Sequence, residues 1–346
     1  MSDQLRPLLH RISGALTGGR IHNLSVQGAH DLFTALLDGQ GTDAQVAMFL
    51  AAMRVKGSCA EELVGAAQAA RNRIEFPPLP DGAVVVATSR RGRRQGPPLG
   101  LASAAVAAAA GVPVLLQSAP ALAEGGVTLG DLWIHLVGPL FGDSGPVGEQ
   151  LQRHGLACWQ PTLADAGWQR LQRIEDETSL RGIPDVVSKL LVPEGAAVLA
   201  AAVPGPVLGI AGDAFESLKH DQVLVVQGVE GSLDPSVVEM TRGLRIVNGI
   251  KTPMRLRPAD FALLETGEPV YPEDCEPLQH AADATWRALL GAVGPEACTA
   301  ALGGALIVSL SDRDSDLATC LNRVVEAMES GAASRLLEQL RGDKSA

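Results

Sequence analysis

The sequence predicts an α/β protein in which a small helical lobe precedes a larger domain built on a mostly parallel central sheet. Three observations carry this reading. The first 75 residues show only helical periodicity, a proline-rich joint at 76–80 interrupts it, and beyond that joint short apolar runs alternate with Ala-rich helical stretches. Short runs with no polar alternation mark strands buried on both faces, as in parallel sheets.

The elements can be taken in order. Leu5, Leu8, Leu9 and Ile12 fall at helical spacing, and Leu32, Leu36 and Leu37 do so again. Thr42 stands three residues before Gln45, and Ser58 three before Glu61; both are capping-box patterns that satisfy orphan amides at a helix start. Val46, Phe49, Leu50 and Met53 make an apolar stripe, and Gly57 should end that helix. Val84 to Val86 form a buried strand, followed by a loop rich in Arg and Gly, an Ala-rich helix near 99–110, and a strand at Val112 to Leu116. This is a βαβ unit, whose crossover should be right-handed. Further strands are expected at Ala197 to Val203, Val207 to Ile210 and Val223 to Gln227. A late helix carries Leu317, Leu321, Val324 and Met328 and is interrupted at Gly331.

Composition narrows the function classes. Hydrophobic residues are 46% of the 346 but aromatics only 3%, so the core must be built from Ala, Val and Leu. A net charge of -11 excludes a general polyanion binder and leaves room only for a local basic patch. The five cysteines are scattered, with no Cys-x-x-Cys pair, as in a reducing cytosol. No basic region precedes an apolar run at the start, and Gly111 and Pro113 break the most apolar stretch, Leu101 to Leu116. A cytoplasmic protein with neither secretion signal nor membrane partner is therefore expected.

Three segments carry a family resemblance. Leu37-Asp-Gly-Gln-Gly-Thr-Asp-Ala-Gln-Val-Ala-Met-Phe-Leu-Ala-Ala-Met-Arg-Val-Lys-Gly57, followed by Glu61-Glu62-Leu63, resembles the helical lobe of anthranilate phosphoribosyltransferases and their pyrimidine nucleoside phosphorylase relatives. Ala107-Ala-Ala-Ala-Gly-Val-Pro-Val114 is similar to the second strand of their α/β domain, and Val324 to Ala332 with Leu336 and Leu337 to their closing helices. The resemblance implies a nucleoside phosphorylase/phosphoribosyltransferase-like fold with ligand in the cleft between lobes. It also implies a homodimer formed through the helical lobe. The lobe would comprise 1–75 with about 170–190 returning to it, and the α/β domain 81–169 and 191–346.

The departures from the family are as informative as the matches. Where the family carries Gly-Thr-Gly-Gly-Asp-Gly, whose amides approach a pyrophosphate, this chain has Thr88-Ser89-Arg90-Arg91-Gly92-Arg93-Arg94-Gln95-Gly96. The family's Asn-Ile-Ser-Thr falls on Pro98-Leu99-Gly100-Leu101, and its Lys-His-Gly-Asn on Leu116-Gln117-Ser118-Ala119. Its magnesium-holding Asp-Glu pair falls near Asp234-Pro235, after Gly228-Val-Glu-Gly231, and its substrate arginine near Glu175. Phosphoribosyl transfer rests on positioning and charge stabilisation, and losing one charged contact costs about a hundredfold in rate. The chain resembles a branch of the family with degenerate catalytic loops and an arginine-bearing loop, associated with nucleic-acid binding.

The candidate site is therefore a phosphate or nucleic-acid site made of Arg90, Arg91, Gly92, Arg93, Arg94 and Gln95 at a strand's carboxyl end, with Gln117 and Ser118 beside it. The plain alternative is a solvated loop and a satisfied turn. Arg54, Lys56, Arg71 and Arg73 either face the same cleft or merely complement helix ends. Asp234 with Glu230 is weighed as a magnesium site and set aside because of Pro235. His154 and Cys158 are separated by Gly155, so no nucleophile is assigned, and the four tryptophans are too dispersed for a base-stacking platform. The expected function is a catalytically degenerate, cofactor-free binder of phosphate-rich ligands, with nucleic acid foremost. An active phosphoribosyl or glycosyl transferase, using magnesium, and a non-catalytic sensor of a phosphorylated metabolite are the alternatives.

Overall fold

A computed structural model describes residues 22–342, apart from 124, 206, 292 and 313, together with residue 7. The helix expected over Leu5 to Ile12 lies outside the described residues. From residue 22 the described chain opens with three helices, α1 (Val26–Leu37), α2 (Asp43–Lys56) and α3 (Ala60–Arg71). Thr42 Oγ1 accepts from Gln45 N at 3.3 Å while Gln45 Oε1 accepts from Thr42 N at 2.9 Å, so the first capping box forms as expected. Val46, Phe49, Leu50 and Met53 are buried, and Gly57 ends α2 with φ 78°. The second box is shifted by one residue. Cys59, not Ser58, precedes α3, and its amide donates to Glu62 Oε2 at 3.1 Å. Glu62 wins over Glu61 because its carboxylate is buried between Lys56 Nζ (2.6 Å) and Leu24 N (2.8 Å).

The second part runs β1 (Val84–Ala87), α4 (Gly100–Ala109), β2 (Val114–Gln117), α5 (Leu129–Leu136), α6 (Ser144–His154), β3 (Leu156–Trp159), α7 (Ala166–Thr178) and α8 (Ile183–Ser188). It continues with β4 (Ala197–Ala201), α9 (Val207–Ser217), β5 (Gln222–Gln227), β6 (Thr241–Val247) and β7 (Ile250–Leu256). Helices α10 (Pro277–Leu289), α11 (Pro295–Ser311), α12 (Leu317–Glu329) and α13 (Ala332–Gly342) close the chain. The sheet order is β3-β2-β1-β4-β5-β6-β7, the first five parallel and β6 and β7 antiparallel. This is the α/β architecture that the sequence predicts.

Alternation along the buried strands divides the core in two. Val84, Val86, Val114 and Leu116 face α4 and α10 to α13, whereas Val85, Ala87, Leu115 and Val198 face the helices of the first lobe. Helices α7 and α8 pack on α1 to α3, and the Phe33 and Trp168 rings lie 6.2 Å apart. Gly167 permits that approach, because a Cβ there would meet Leu37 O at 1.9 Å.

Two expectations are corrected. Val207 to Ile210 begins α9 rather than forming a strand; a short apolar run has no periodicity to separate the two. Strands β3, β6 and β7 are additional to those the sequence predicts. The last two carry exposed polar positions and a proline, which sets them outside the apolar-run criterion.

Strand order reverses at β1, which lies between β2 and β4. In open parallel sheets the crevice at the carboxyl ends of such strands is where ligands sit. Thr88, Ser89 and Ala201 line a cavity there, with Arg91, Arg93 and Asp234.

Candidate functional site

The arginine loop leaves β1 at that crevice. Gly92 takes φ 64°, and a Cβ on it would meet Gly126 O at 2.2 Å, so the loop turns hard against 125–127. Arg93 and Val127 then exchange backbone hydrogen bonds at 2.9 Å. A turn held this tightly dictates where each side chain goes, and the four arginines divide into two pairs.

Arg90 and Arg93 point inward. Arg90 Nη2 donates to both oxygens of Asp176 (2.8 and 3.0 Å) and its Nε to Pro120 O, with Glu175 Oε2 3.9 Å from Nη1. Arg93, 2% exposed, donates from Nε to Glu230 (3.2 Å) and from Nη1 to Asp234 (3.1 Å) and Pro97 O (2.9 Å). Such buried pairs are structural fixings, costly to break and closed to an outside anion. Burial, with Asp185 beside it, pushes the Glu175 carboxyl up, and burial also raises Asp234 against the pull of Arg93.

Arg91 and Arg94 point outward, and both are exposed. With Arg54 at the end of α2 and Arg181 before α8 they line a cleft of about 450 Å³, together with Leu122, Ser179 and Val203. Arg181 is tied to Asp185 through Nε. Among the described residues, Arg54, Arg91 and Arg94 have no carboxylate partner. Four guanidinium groups from two lobes thus converge on one solvent-filled space, where a ligand's oxyanions would relieve their mutual repulsion.

Several of the loop's backbone amides already carry carboxylates. Glu230 Oε2 accepts from Arg94 N at 2.9 Å and Oε1 from Gln95 N at 3.2 Å. Asp185 Oδ1 accepts from Arg90 N at 2.6 Å, and Asp234 Oδ2 accepts from Leu99 N at 3.1 Å, at the start of α4. Glu230 reaches its place from a left-handed backbone, φ 57°, which a non-glycine residue adopts at a cost of about 1 kcal/mol.

Gln117 and Ser118 are buried and sit apart from the arginine cleft. Ser118 Oγ accepts from Thr88 Oγ1 and Gly130 N, both at 2.9 Å. Gln117 Nε2 donates to Ser188 O, and its Oε1 has no hydrogen-bond partner. Both line a small polar hollow with Arg90, Gln160, Thr162 and Gln172. Gln95 is exposed, and its carbonyl accepts from Tyr271 N at 2.9 Å. Of the cations weighed on the first lobe only Arg54 reaches the cleft. Arg71 donates to Val192 O and lies over the Phe76 ring, and Arg73 pairs with Asp38 and Asp165. Cys158 is buried in β3, where burial raises its thiol, while Gly155 caps α6 between it and His154.

Comparison with known proteins shows what the chain is similar to. Residues 12–74 match the helical bundle domain of a glycosyl transferase family. An anthranilate phosphoribosyltransferase from Methanothermobacter marburgensis is 28% identical over 344 residues, which cover 91% of this chain and 93% of that relative. One from Methylobacterium nodulans is 26% identical and covers 98% of each chain. The chain is an anthranilate phosphoribosyltransferase-like protein. Its fold matches the Thermus thermophilus enzyme with a TM-score of 0.79 at 22% identity, covering 99% of this chain and 100% of that one. The Saccharomyces cerevisiae enzyme, solved with PRPP and Mg, matches at 0.79 and 19% identity, over 99% and 98%. In this anthranilate phosphoribosyltransferase-like chain the loop after β1 has two arginines turned in, two turned out and carboxylates seated on its amides.

The site residues that the sequence reading missed are Arg181, which helps line the cleft, and Asp185, which fixes the loop. They stand four apart at the start of one short helix, a spacing that suggests an ion pair but not its place in the fold.

Proposed function

We propose that this anthranilate phosphoribosyltransferase-like protein is catalytically degenerate and binds phosphate-rich ligands, nucleic acid foremost, by the backbone. The observation that carries the reading is the pair Arg91 and Arg94, exposed and without carboxylate partners among the described residues, facing Arg54 and Arg181 across the cleft. Guanidinium forks suit phosphate oxygens, and contacts made to phosphate carry no sequence information, so binding through them is without sequence preference. In a chain of net charge -11 such a cluster is a local exception that an anionic ligand would stabilise.

A second reading, phosphoribosyl transfer, is favoured by likeness over nearly the full length of enzymes so named, one of them holding PRPP and Mg. Two features argue against it. The amides of Arg94 and Gln95 carry Glu230, so a pyrophosphate must displace a protein carboxylate to reach them. Asp234 spends its carboxylate on Arg93 and the Leu99 amide, and Glu230 its own on Arg93 and two amides, so neither is free to hold a magnesium ion without leaving these partners.

Anisotropy of a labelled single-stranded oligonucleotide, titrated across several salt concentrations, tests the proposal. Four phosphate contacts give a slope of log affinity on log salt of about -2.8, and the Arg91→Ser/Arg94→Ser variant should retain about half of it. No binding at low salt, with turnover of PRPP, would overturn the proposal in favour of the enzyme.

A further inference from the structure

The β6–β7 hairpin carries a second basic cluster that the cleft does not include. From 240 to 259 the chain has Arg242, Arg245, Lys251, Arg255 and Arg257 and no acidic residue, within a protein of net charge -11. Two of these have local partners. Lys251 lies between Asp213 and Glu216, and Arg245 donates to Ser309 Oγ at 2.7 Å on the opposite face of the sheet. Arg242, Arg255 and Arg257 are exposed and have no carboxylate partner among the described residues.

Their arrangement is costly as it stands. Arg242 and Arg255 are direct cross-strand partners in the β6–β7 ladder, and like charges in that relation destabilise a sheet. Protection of an exposed strand edge explains charge on β7, where Pro253 also blunts the edge. It does not explain Arg242, because β6 is paired on both sides, to β5 and to β7.

The cluster is continuous with the arginine cleft. Arg242 is also the register partner of Gln227, so Gln227, Arg242 and Arg255 form one row across the carboxyl end of the sheet. Gln227 Nε2 donates to Val203 O (3.0 Å) and Gly205 O (3.2 Å), and Val203 lines the cleft with Arg91 and Arg94. Strands lie about 4.8 Å apart, so Arg255 stands about 10 Å along this row from Gln227. A chain of phosphates laid along this row would meet both clusters.

We propose that the β6–β7 hairpin, through Arg242, Arg255 and Arg257, is a second station for a single-stranded nucleic acid whose first station is the cleft of Arg54, Arg91, Arg94 and Arg181. The inference rests on the phosphate-binding reading of that cleft and gives its ligand a length and a path. A single strand is favoured over a duplex because a cleft of about 450 Å³ has the size of a small-molecule pocket. The hairpin arginines then act on the polymer's backbone rather than on any base.

Two oligonucleotides, of about 4 and about 16 nucleotides, separate the stations when titrated at several salt concentrations. The full chain should bind the longer one with the steeper salt dependence. Changing Arg242, Arg255 and Arg257 together to Ser should reduce that slope by about 2, three contacts at about 0.7 each, and leave the short oligonucleotide's affinity unchanged. The substituted positions are exposed, and a urea midpoint no lower than the parent's confirms the fold. An unchanged slope for the long oligonucleotide, with binding still weakened in Arg91→Ser/Arg94→Ser, overturns the hairpin station alone. Preference for a duplex of equal length overturns the single-strand assignment. Failure of the unmodified protein to bind either length removes the cleft reading and this inference with it.

Discussion

Replacing Glu230 by alanine should weaken the fold and open an anion site in the same step. Its carboxylate accepts from Arg93 Nε, Arg94 N and Gln95 N, and its side chain is 14% exposed. Removing it leaves Arg93 dependent on Asp234 and Pro97 O alone. Breaking a buried pair from one side costs about 3 kcal/mol at the low end, which suits a carboxylate at the rim. Glycine in its place should lose about 1 kcal/mol less than alanine, since only glycine relieves the left-handed backbone at φ 57°. The vacated amides should then take an anion from solution. Urea unfolding with and without pyrophosphate measures both effects, in a background with Arg91 and Arg94 changed to Ser so that the cleft does not contribute. At ten times its Kd, pyrophosphate should return about 1.4 kcal/mol to the Glu230→Ala chain and much less to the chain that keeps Glu230. Equal stabilisation of the two, or no loss of stability in the variant, would refute the view that Glu230 occupies an anion site.

The two classes of arginine should separate cleanly. Arg90→Ala leaves Asp176 and Glu175 facing a void and should cost about 3 kcal/mol in urea unfolding, whereas Arg91→Ala should stay within about 0.5 kcal/mol while weakening oligonucleotide binding. His220 provides a pH test. Burial, reinforced by the Arg71 charge, lowers it from 6.5 to about 4, so the folded state binds fewer protons and stability is lost as pH falls through that window. Between pH 7 and pH 5 the loss from this group is about 2 kcal/mol, and His220→Gln should show a correspondingly smaller drop. Buried Glu175 shifts in the opposite sense and gains stability on acidification, so the difference between variant and parent is the quantity to read.

Much of the fold was legible because its signals are local. The Thr42–Gln45 box, the Val46, Phe49, Leu50 and Met53 stripe and the terminator Gly57 lie within one helix, and each acts on its own neighbours. The wholly apolar Val84 to Val86 announces a central strand in the same way. Strands β6 and β7 were missed because the only buried apolar residues in them are Ile246 and Leu256. Their pairing is fixed by β5 rather than by their own pattern. The arginine loop was legible as a site but not as a geometry. Four arginines in five residues look alike in sequence, and what separates them are carboxylates 86 to 141 positions away.

Those distant carboxylates also bear on what kind of ligand the site can take. Asp185, Glu230 and Asp234 sit on the amides of Arg90, Arg94, Gln95 and Leu99, where backbone donors at the end of a parallel strand and the start of a helix would otherwise receive a phosphate. The backbone there has the form of an anion cradle, and the chain supplies the anions itself. Backbone amides are fixed in direction and select one geometry, which is what a small pyrophosphate needs for in-line chemistry. The outward guanidinium groups of Arg91 and Arg94 lie on long, mobile side chains and accept many phosphate geometries at similar energy. On the proposed reading, a site built in this way forgoes discrimination between small ligands and attracts accumulated negative charge. That attraction grows with each phosphate the ligand can present, so it favours a polymer over a metabolite.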